Sequence, residues 1–170
     1  MAKLRPSRCY RTLKRPWTRQ SKKKPRISYV KGVPNTRIRR YVTGINKVYD
    51  SKYFIVSKDS LQVRDNAIEA ARVAISNYLQ KHLKQNFYLI LRKYPFHVLR
   101  EHKQAAVAGA DRYFSGMRHA FGKPCGQAVQ LYKNNILFEL RIDKKNDKLA
   151  REALKRAIAK LPGGYTIVVE

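Results

Sequence analysis

The distribution of charge along the chain is the feature that most limits how it can fold. No Asp or Glu precedes Asp50, whereas sixteen Lys and Arg lie in residues 1–49. Apolar residues are sparse in this part and show no sustained period, so it has little to bury. A pattern typical of a globular domain begins after residue 50. We therefore expect a basic N-terminal extension over residues 1–26 and a single domain over residues 27–170.

The total charge requires a partner of opposite sign. The chain has 38 Lys and Arg against 11 Asp and Glu, which gives a net charge of +27 on 170 residues. A small soluble domain usually carries a net charge of roughly 2–8, because excess charge of one sign repels itself. Nucleic acid, an anionic membrane surface and an acidic protein are the polyanions that would offset the repulsion.

Membrane and targeting functions fit the sequence poorly. The longest apolar run, residues 105–110, is much shorter than the ~20 residues of a spanning helix. The basic N-terminus has no apolar segment of the kind found in secretory signals. A transit peptide remains a rival, although four prolines before residue 35 oppose the amphipathic helix that it would need. Nucleic acid is the favoured partner.

The cysteines indicate a reducing environment. Cys9 and Cys125 are the only two, they lie far apart, and no C-x-x-C spacing suggests zinc. With 44% hydrophobic residues the chain can still build one core. We expect a cytoplasmic protein without disulfides.

Two helices are predicted from apolar stripes at helical spacing. Asn66 and Glu69 form a capping pair that would open a helix of about eighteen residues. Asp147 would cap the second helix, which Pro162-Gly163-Gly164 would end. The first stripe consists of Ile68, Ala71, Ile75, Leu79 and Leu83, and the second of Ala150, Ala153, Leu154, Ala157, Ile158 and Leu161.

Several short strands accompany the helices and predict an α+β domain of mostly antiparallel strands. Asn134-Asn135, whose residue type tolerates positive φ, predicts a hairpin between the fourth and fifth strands. Pro95 separates the second strand from the third. The predicted strands span residues 53–56, 87–91, 96–101, 127–132, 136–142 and 165–169.

Two basic segments are candidates for binding RNA. In residues 1–26, eleven cations are interleaved with Tyr10 and Trp17, an arrangement that suits base stacking beside phosphate contacts. An idle, solvated tail is the alternative. Residues 102–124 fit neither helix nor strand and carry glycines, cations and the aromatics Tyr113 and Phe121. Such a loop suits close approach to an RNA backbone.

Catalytic patterns fail on spacing. Gly116 to Lys123 resembles a phosphate-binding loop, but it is one residue too long and Pro124 replaces the magnesium-binding hydroxyl. His97, Glu101 and His102 miss the spacing of a helical zinc site, and the segment alternates like a strand. No carboxylates pair for acid–base work. We expect no enzyme, no cofactor and no metal.

The loop also carries motifs that resemble a ribosomal family. They are Ala110-Asp111-Arg112, Gly116-Met117-Arg118 and Ala120-Phe121-Gly122-Lys123-Pro124 followed by Gly126. The opening Arg5-Pro6-Ser7-Arg8-Cys9-Tyr10-Arg11, Lys31-Gly32-Val33-Pro34 and residues 68–72, 95–98 and 149–153 add to the likeness. Together they resemble the large-subunit family called L-ten-e in archaea and eukaryotes and L-sixteen in bacteria. The end at Glu170 suggests an archaeal-type member.

The resemblance implies a fold and a set of partners. The family fold is an α/β sandwich of the hammerhead type. The implied partners are large-subunit rRNA below the central protuberance, neighbouring ribosomal proteins and the A-site and P-site tRNAs, with the internal loop reaching toward the peptidyl transferase centre. The rRNA anchors would be Arg5, Arg8, Arg11, Lys14, Arg15, Trp17, Arg19, Lys22, Lys23, Lys24 and Arg26, and the tRNA-proximal residues would be Arg112, Arg118, His119 and Lys123.

Two other RNA- or DNA-binding functions remain open. A free-standing maturation factor that binds rRNA or tRNA would have a similar charge, and so would a DNA-packaging protein. A structural component should stay with the large subunit through a high-salt wash that removes transient factors.

Overall fold

The computed structural model describes residues 5–14, 30–102, 112, 116, 118 and 121–170. In this part, two helices accompany eight strands, and every pair of neighbouring strands is antiparallel. The elements are β1 (Val42–Gly44), β2 (Ser51–Ser57), β3 (Leu61–Arg64), α1 (Asp65–Leu83), β4 (Tyr88–Leu91), β5 (His97–Glu101), β6 (Lys123–Leu131), β7 (Ile136–Ile142), α2 (Asp147–Ile158) and β8 (Tyr165–Val169).

The strands form two sheets. The larger has the order β1-β4-β7-β2-β8, and the smaller has the order β3-β6-β5. Helix α1 contacts β3 and β6, α2 contacts β7 and β8, and the helices contact each other. One apolar core runs through both sheets and both helices. The expected α+β class is confirmed.

Both helical stripes lie in the core as predicted. Ile68, Ile75 and Leu79 of α1 are fully buried, and so are Ala153 and Leu154 of α2. Apolar side chains recurring every three or four positions share one face of a helix, so their burial follows from the spacing.

The predicted helix caps are wrong in detail. Helix α1 begins at Asp65, whose carboxylate accepts the backbone N–H groups of Asn66 at 2.8 Å and Arg37 at 3.0 Å. Glu69 instead binds the Arg72 guanidinium at 2.6 Å. Asp147 is the first residue of α2 and accepts the Tyr53 hydroxyl at 2.7 Å rather than a capping N–H. In both helices the carboxylate has a tertiary partner that local spacing does not reveal.

The predicted hairpin at Asn134-Asn135 is wrong, although Asn134 does adopt a positive φ of 67°. Strands β6 and β7 belong to different sheets, because β7 pairs with β2 on one side and β4 on the other. The turn bonds to the end of β2: Asn134 N–H donates to the Ser57 carbonyl, and Ser57 N–H donates to the Asn135 carbonyl. Both sides of β7 are thus occupied, and none is left for β6.

The core also begins earlier than residue 50. Ile38 belongs to the core cluster, and β1 pairs with β4 at the edge of the larger sheet. A three-residue strand is too short to produce a visible alternation, which explains why the sequence pattern missed it.

Candidate RNA interface

Residues 5–14 are held against the smaller sheet by two buried glutamines. Gln62 of β3 and Gln130 of β6 lie opposite each other in the register. The Gln62 side-chain amide donates to the Tyr10 carbonyl at 2.9 Å, and its backbone N–H donates to the Arg11 carbonyl at 2.8 Å. The Gln130 amide donates to the Lys14 carbonyl at 2.7 Å. We call residues 5–14 the N-terminal strap.

The strap presents cations at fixed positions. Arg8, Arg11 and Lys14 are exposed, and no carboxylate of the described residues lies within 4 Å of them. Arg5 differs, because its Nε lies 2.9 Å from Oε1 of Glu101. The strap thus contains four candidate rRNA-binding residues that the structure describes. Three of them, Arg8, Arg11 and Lys14, have no carboxylate partner among the described residues.

One described loop candidate, Lys123, belongs to the same sheet. Lys123 is the first residue of β6 and faces Glu101 of β5 in the register. Glu101 binds Arg5, so Lys123 of the loop set and Arg5 of the strap set both lie beside this residue. Arg112 and Arg118 are exposed, and no hydrogen bond among described residues joins either of them to the strap. Residue spacing along the chain does not predict that Arg5 and Lys123 lie beside the same residue.

The remaining predicted site residues lie outside the described residues. They are Arg15, Trp17, Arg19, Lys22, Lys23, Lys24, Arg26 and His119.

Two further arginines of the smaller sheet border the strap and the loop. Arg64 donates to the Arg5 carbonyl at 2.9 Å, and its guanidinium lies 5.7 Å from the centre of the Tyr10 ring. Arg100 donates to the Gly122 carbonyl at 3.1 Å and lies 4.6 Å from the centre of the Phe121 ring. Sequence analysis missed both, because an arginine at a strand position looks like any solvated residue.

Internal ion pairs occupy several of the carboxylates. The hydrogen bond from Arg72 lowers the pKa of Glu69. Burial raises the pKa of Glu139, but bonds from Arg141 and Arg92 outweigh it and leave that pKa below its usual range. Such carboxylates stay ionised and bound to their arginines at neutral pH. They are not available to neutralise the cations of the strap.

His97 is a buried strand residue and not a member of a helical metal site. Its side chain is 2% exposed at the start of β5, and burial lowers its pKa, so the ring is neutral at pH 7. Among the described residues, no group of three His, Cys, Asp or Glu side chains is placed to hold a metal ion. None of the helices in the described ranges is long and apolar enough to cross a membrane.

Comparisons with known proteins agree with the resemblance seen in the loop. The family model described as ribosomal protein L16p/L10e matches residues 14–168. Large ribosomal subunit protein uL16 of Caldivirga maquilingensis is 44% identical over 94% of this chain and 90% of its own length. The uL16 proteins of Archaeoglobus fulgidus and Tetrahymena thermophila are 41% and 42% identical, over 98% and 96% of this chain and 92% and 76% of their own lengths.

The family match, which begins at residue 14, extends over both sheets and both helices, and the archaeal relatives confirm the expected archaeal type. Proteins of this family are structural parts of the ribosome and not enzymes. The chain therefore belongs to the ribosomal protein L16p/L10e family.

Proposed function

We propose that this chain is a structural component of the large ribosomal subunit in the cytoplasm, where it binds large-subunit rRNA and lies near the A-site and P-site tRNAs. There it helps to position tRNA close to the peptidyl transferase centre. The names of the relatives support the large-subunit assignment. The placement beside tRNA rests on the family resemblance of the loop and on its cations.

One observation carries the rRNA-binding proposal. Arg8, Arg11 and Lys14 are exposed on a strap that the glutamine pair holds in place, and no carboxylate in the described ranges neutralises them. Their backbone is already ordered by the domain, so binding RNA does not require that part of the conformational entropy to be lost again. We infer that the strap contacts rRNA phosphates and that neighbouring ribosomal proteins lie around it.

The loop proposal rests on a different set of cations. Arg112, Arg118 and Lys123 are exposed, and all three belong to the motifs that resemble the family. A guanidinium can bond two phosphate oxygens at once, which suits contact with a folded tRNA. These three residues and His119 would act on tRNA by position and charge, with no bond chemistry.

Salt dependence tests the rRNA contacts of the strap. We expect Arg8→Ala, Arg11→Ala and Lys14→Ala together to reduce the slope of log affinity against log salt by about 2–3, because each phosphate contact contributes roughly 0.7–0.9. The readout is binding to large-subunit rRNA fragments across a salt series. Lys81→Ala, Lys84→Ala and Lys133→Ala remove the same charge elsewhere on the surface. Equal losses in the two triple variants would contradict a specific role for the strap.

Subunit assembly and tRNA binding test the wider proposal. The intact protein should remain with the large subunit through a high-salt gradient wash, whereas a maturation factor would be released. Subunits reconstituted with Arg112→Ala, Arg118→Ala and Lys123→Ala should sediment normally and bind A-site or P-site tRNA more weakly. Unchanged tRNA occupancy and peptide-bond formation would overturn the loop proposal and leave the rRNA proposal intact.

A further inference from the structure

A cavity of about 290 Å³ lies between the strap and the smaller sheet. The strap contributes Tyr10 and Lys14, β5 contributes His97 and Arg100, and the end of the loop contributes Phe121. Neither the family match nor the names of the relatives assigns anything to this cavity.

The lining has the composition of a site for an anionic, aromatic ligand. It contains three cations, Arg5, Lys14 and Arg100, and no acidic residue. Glu101 neutralises Arg5 from outside the lining, which leaves Lys14 and Arg100 to attract an anion. Tyr10 and Phe121 supply aromatic surface, and Phe121 is 66% exposed although Arg100 lies over its ring. Cations beside exposed aromatic rings are the usual means of holding single-stranded nucleic acid.

Two buried polar atoms on the lining residues lack hydrogen-bond partners among the described residues. They are Nδ1 of His97 and Nε of Arg100. Buried polar groups are normally paired, so an orphan in a native structure requires an explanation. Both orphans lie on residues that line this cavity, so a ligand that shifts these side chains slightly would complete their polar contacts.

The size of the cavity limits the ligand. Pockets for whole small molecules usually measure about 300–1,000 Å³. A cavity just below that range has room for about one base with its ribose. Neutral His97, which also lines the cavity, offers a neutral polar group that suits the edge of a base.

We propose that this cavity receives one unstacked nucleotide of RNA, with its base against Phe121 and its flanking phosphates at Lys14 and Arg100. The inference rests on the proposed RNA-binding function and adds a base-stacking site to it. A base that is splayed out of a loop or bulge is the form in which proteins commonly recognise single-stranded RNA. The strap and the end of the loop would then close on the same nucleotide.

A fluorescent reporter tests the stacking directly. Trp17→Phe removes the only tryptophan, and Phe121→Trp places a new one at the edge of the cavity. The probe is a short U-rich RNA with one central adenosine, and the matched probe has an abasic ribose at that position. We expect the adenosine RNA to quench the new tryptophan and the abasic RNA to quench it much less. Free AMP at the same concentration should quench it little, because it has only one phosphate and lacks the 3′ phosphate and the neighbouring nucleotides.

Affinity in the wild-type background provides the second measurement. Phe121→Ala should weaken binding of the adenosine RNA on the order of 5- to 100-fold, as loss of base stacking does. It should change binding of the abasic RNA little. Tyr132→Ala is the control, because Tyr132 is an exposed aromatic that follows the opposite end of β6. Circular dichroism checks that both variants fold.

Three outcomes would overturn the inference. Equal binding and quenching by adenosine and abasic RNA would show that no base enters the cavity. Equal losses from Phe121→Ala and Tyr132→Ala would show general aromatic contact, and equal quenching by AMP would indicate a free-nucleotide site. If these results came with a steep salt dependence, the proposed RNA-binding function would stand without the nucleotide site. Absence of salt-dependent RNA binding would remove both proposals.

Discussion

Single residues in this fold respond to burial and backbone geometry in ways that predict measurable changes. Burial lowers the pKa of His97 in the folded protein. Below pH 6.5, His97 is therefore protonated more fully in the unfolded chain than in the folded one. Stability should therefore fall as the pH drops from 7 toward 5. His97→Phe removes the titration and should reduce this loss. The measurement is Tm against pH for both proteins.

The variant also removes the unpartnered Nδ1, which offsets part of the cost of packing a larger ring at pH 7. Parallel pH profiles for the two proteins would contradict the effect of burial on His97. Sequence alternation correctly predicted a strand here, but it placed His97 on a face without revealing which face is buried. That depends on tertiary packing, which an alternating pattern does not report.

Gly44 is the second residue whose environment predicts an effect. It ends β1 with φ at +96°, and an added Cβ would lie 1.8 Å from the Phe87 carbonyl oxygen. Gly44→Ala should destabilise the fold by strain of about 1–2 kcal/mol plus the clash with the backbone. Gly32→Ala is the matched control, since Gly32 also has positive φ (+70°) but nothing within 4 Å of the added Cβ. Chemical denaturation should rank Gly44→Ala as the more costly change; equal losses would show that the clash relaxes.

A helix is predicted correctly from the sequence when its apolar stripe is long and packs against the hydrophobic core. Helix α2 is an example, because Leu154 is fully buried and Lys155, the next residue, is exposed. Leu154→Ala should cost ~2–5 kcal/mol of unfolding free energy. Lys155→Ala, the matched control, should stay within about 0.5 kcal/mol. Similar losses from both would mean that the helix faces are assigned wrongly.

Strand pairing was predicted less well, for a physical reason. The turn at Asn134 has the expected backbone conformation, yet the strands that it joins separate into two sheets. A turn fixes the local direction of the chain, whereas pairing depends on which neighbours offer unpaired edges. Strand β7 finds both of its partners far away in the sequence, in β2 and β4. No local pattern carries that information.

At the scale of the whole molecule, two buried polar side chains hold the middle and end of the strap, and Arg64 and the ion pair between Arg5 and Glu101 hold its start. Gln62 and Gln130 are 4% and 6% exposed, and the Gln130 amide also donates to the Gln62 oxygen at 3.2 Å. Sequence patterns favour apolar residues at buried positions, so these glutamines gave no sign that a strap would cover them. The cations of the strap were identified from the sequence, but their attachment to the smaller sheet was not predicted.

Removing the amides should therefore release the strap without unfolding the domain. Gln62→Leu with Gln130→Leu keeps apolar packing but removes the donors to the Tyr10 and Lys14 carbonyls. Under native conditions, we expect trypsin to cut after Arg8 and Arg11 faster in the double variant than in the wild type, because proteolysis requires local opening. Circular dichroism should show that the core remains folded.

Gln127→Leu tests whether the effect is specific to the strap. Its amide donates to the Pro34 carbonyl at 3.0 Å, so this variant loses a comparable bond outside the strap. Cleavage after Arg8 and Arg11 should then match the wild-type rate. RNA affinity gives the functional consequence: the double variant should bind rRNA fragments more weakly at every salt concentration with little change in slope, because its cations remain but must be ordered on binding. Unchanged cleavage and affinity would show that the glutamine pair does not hold the strap in solution.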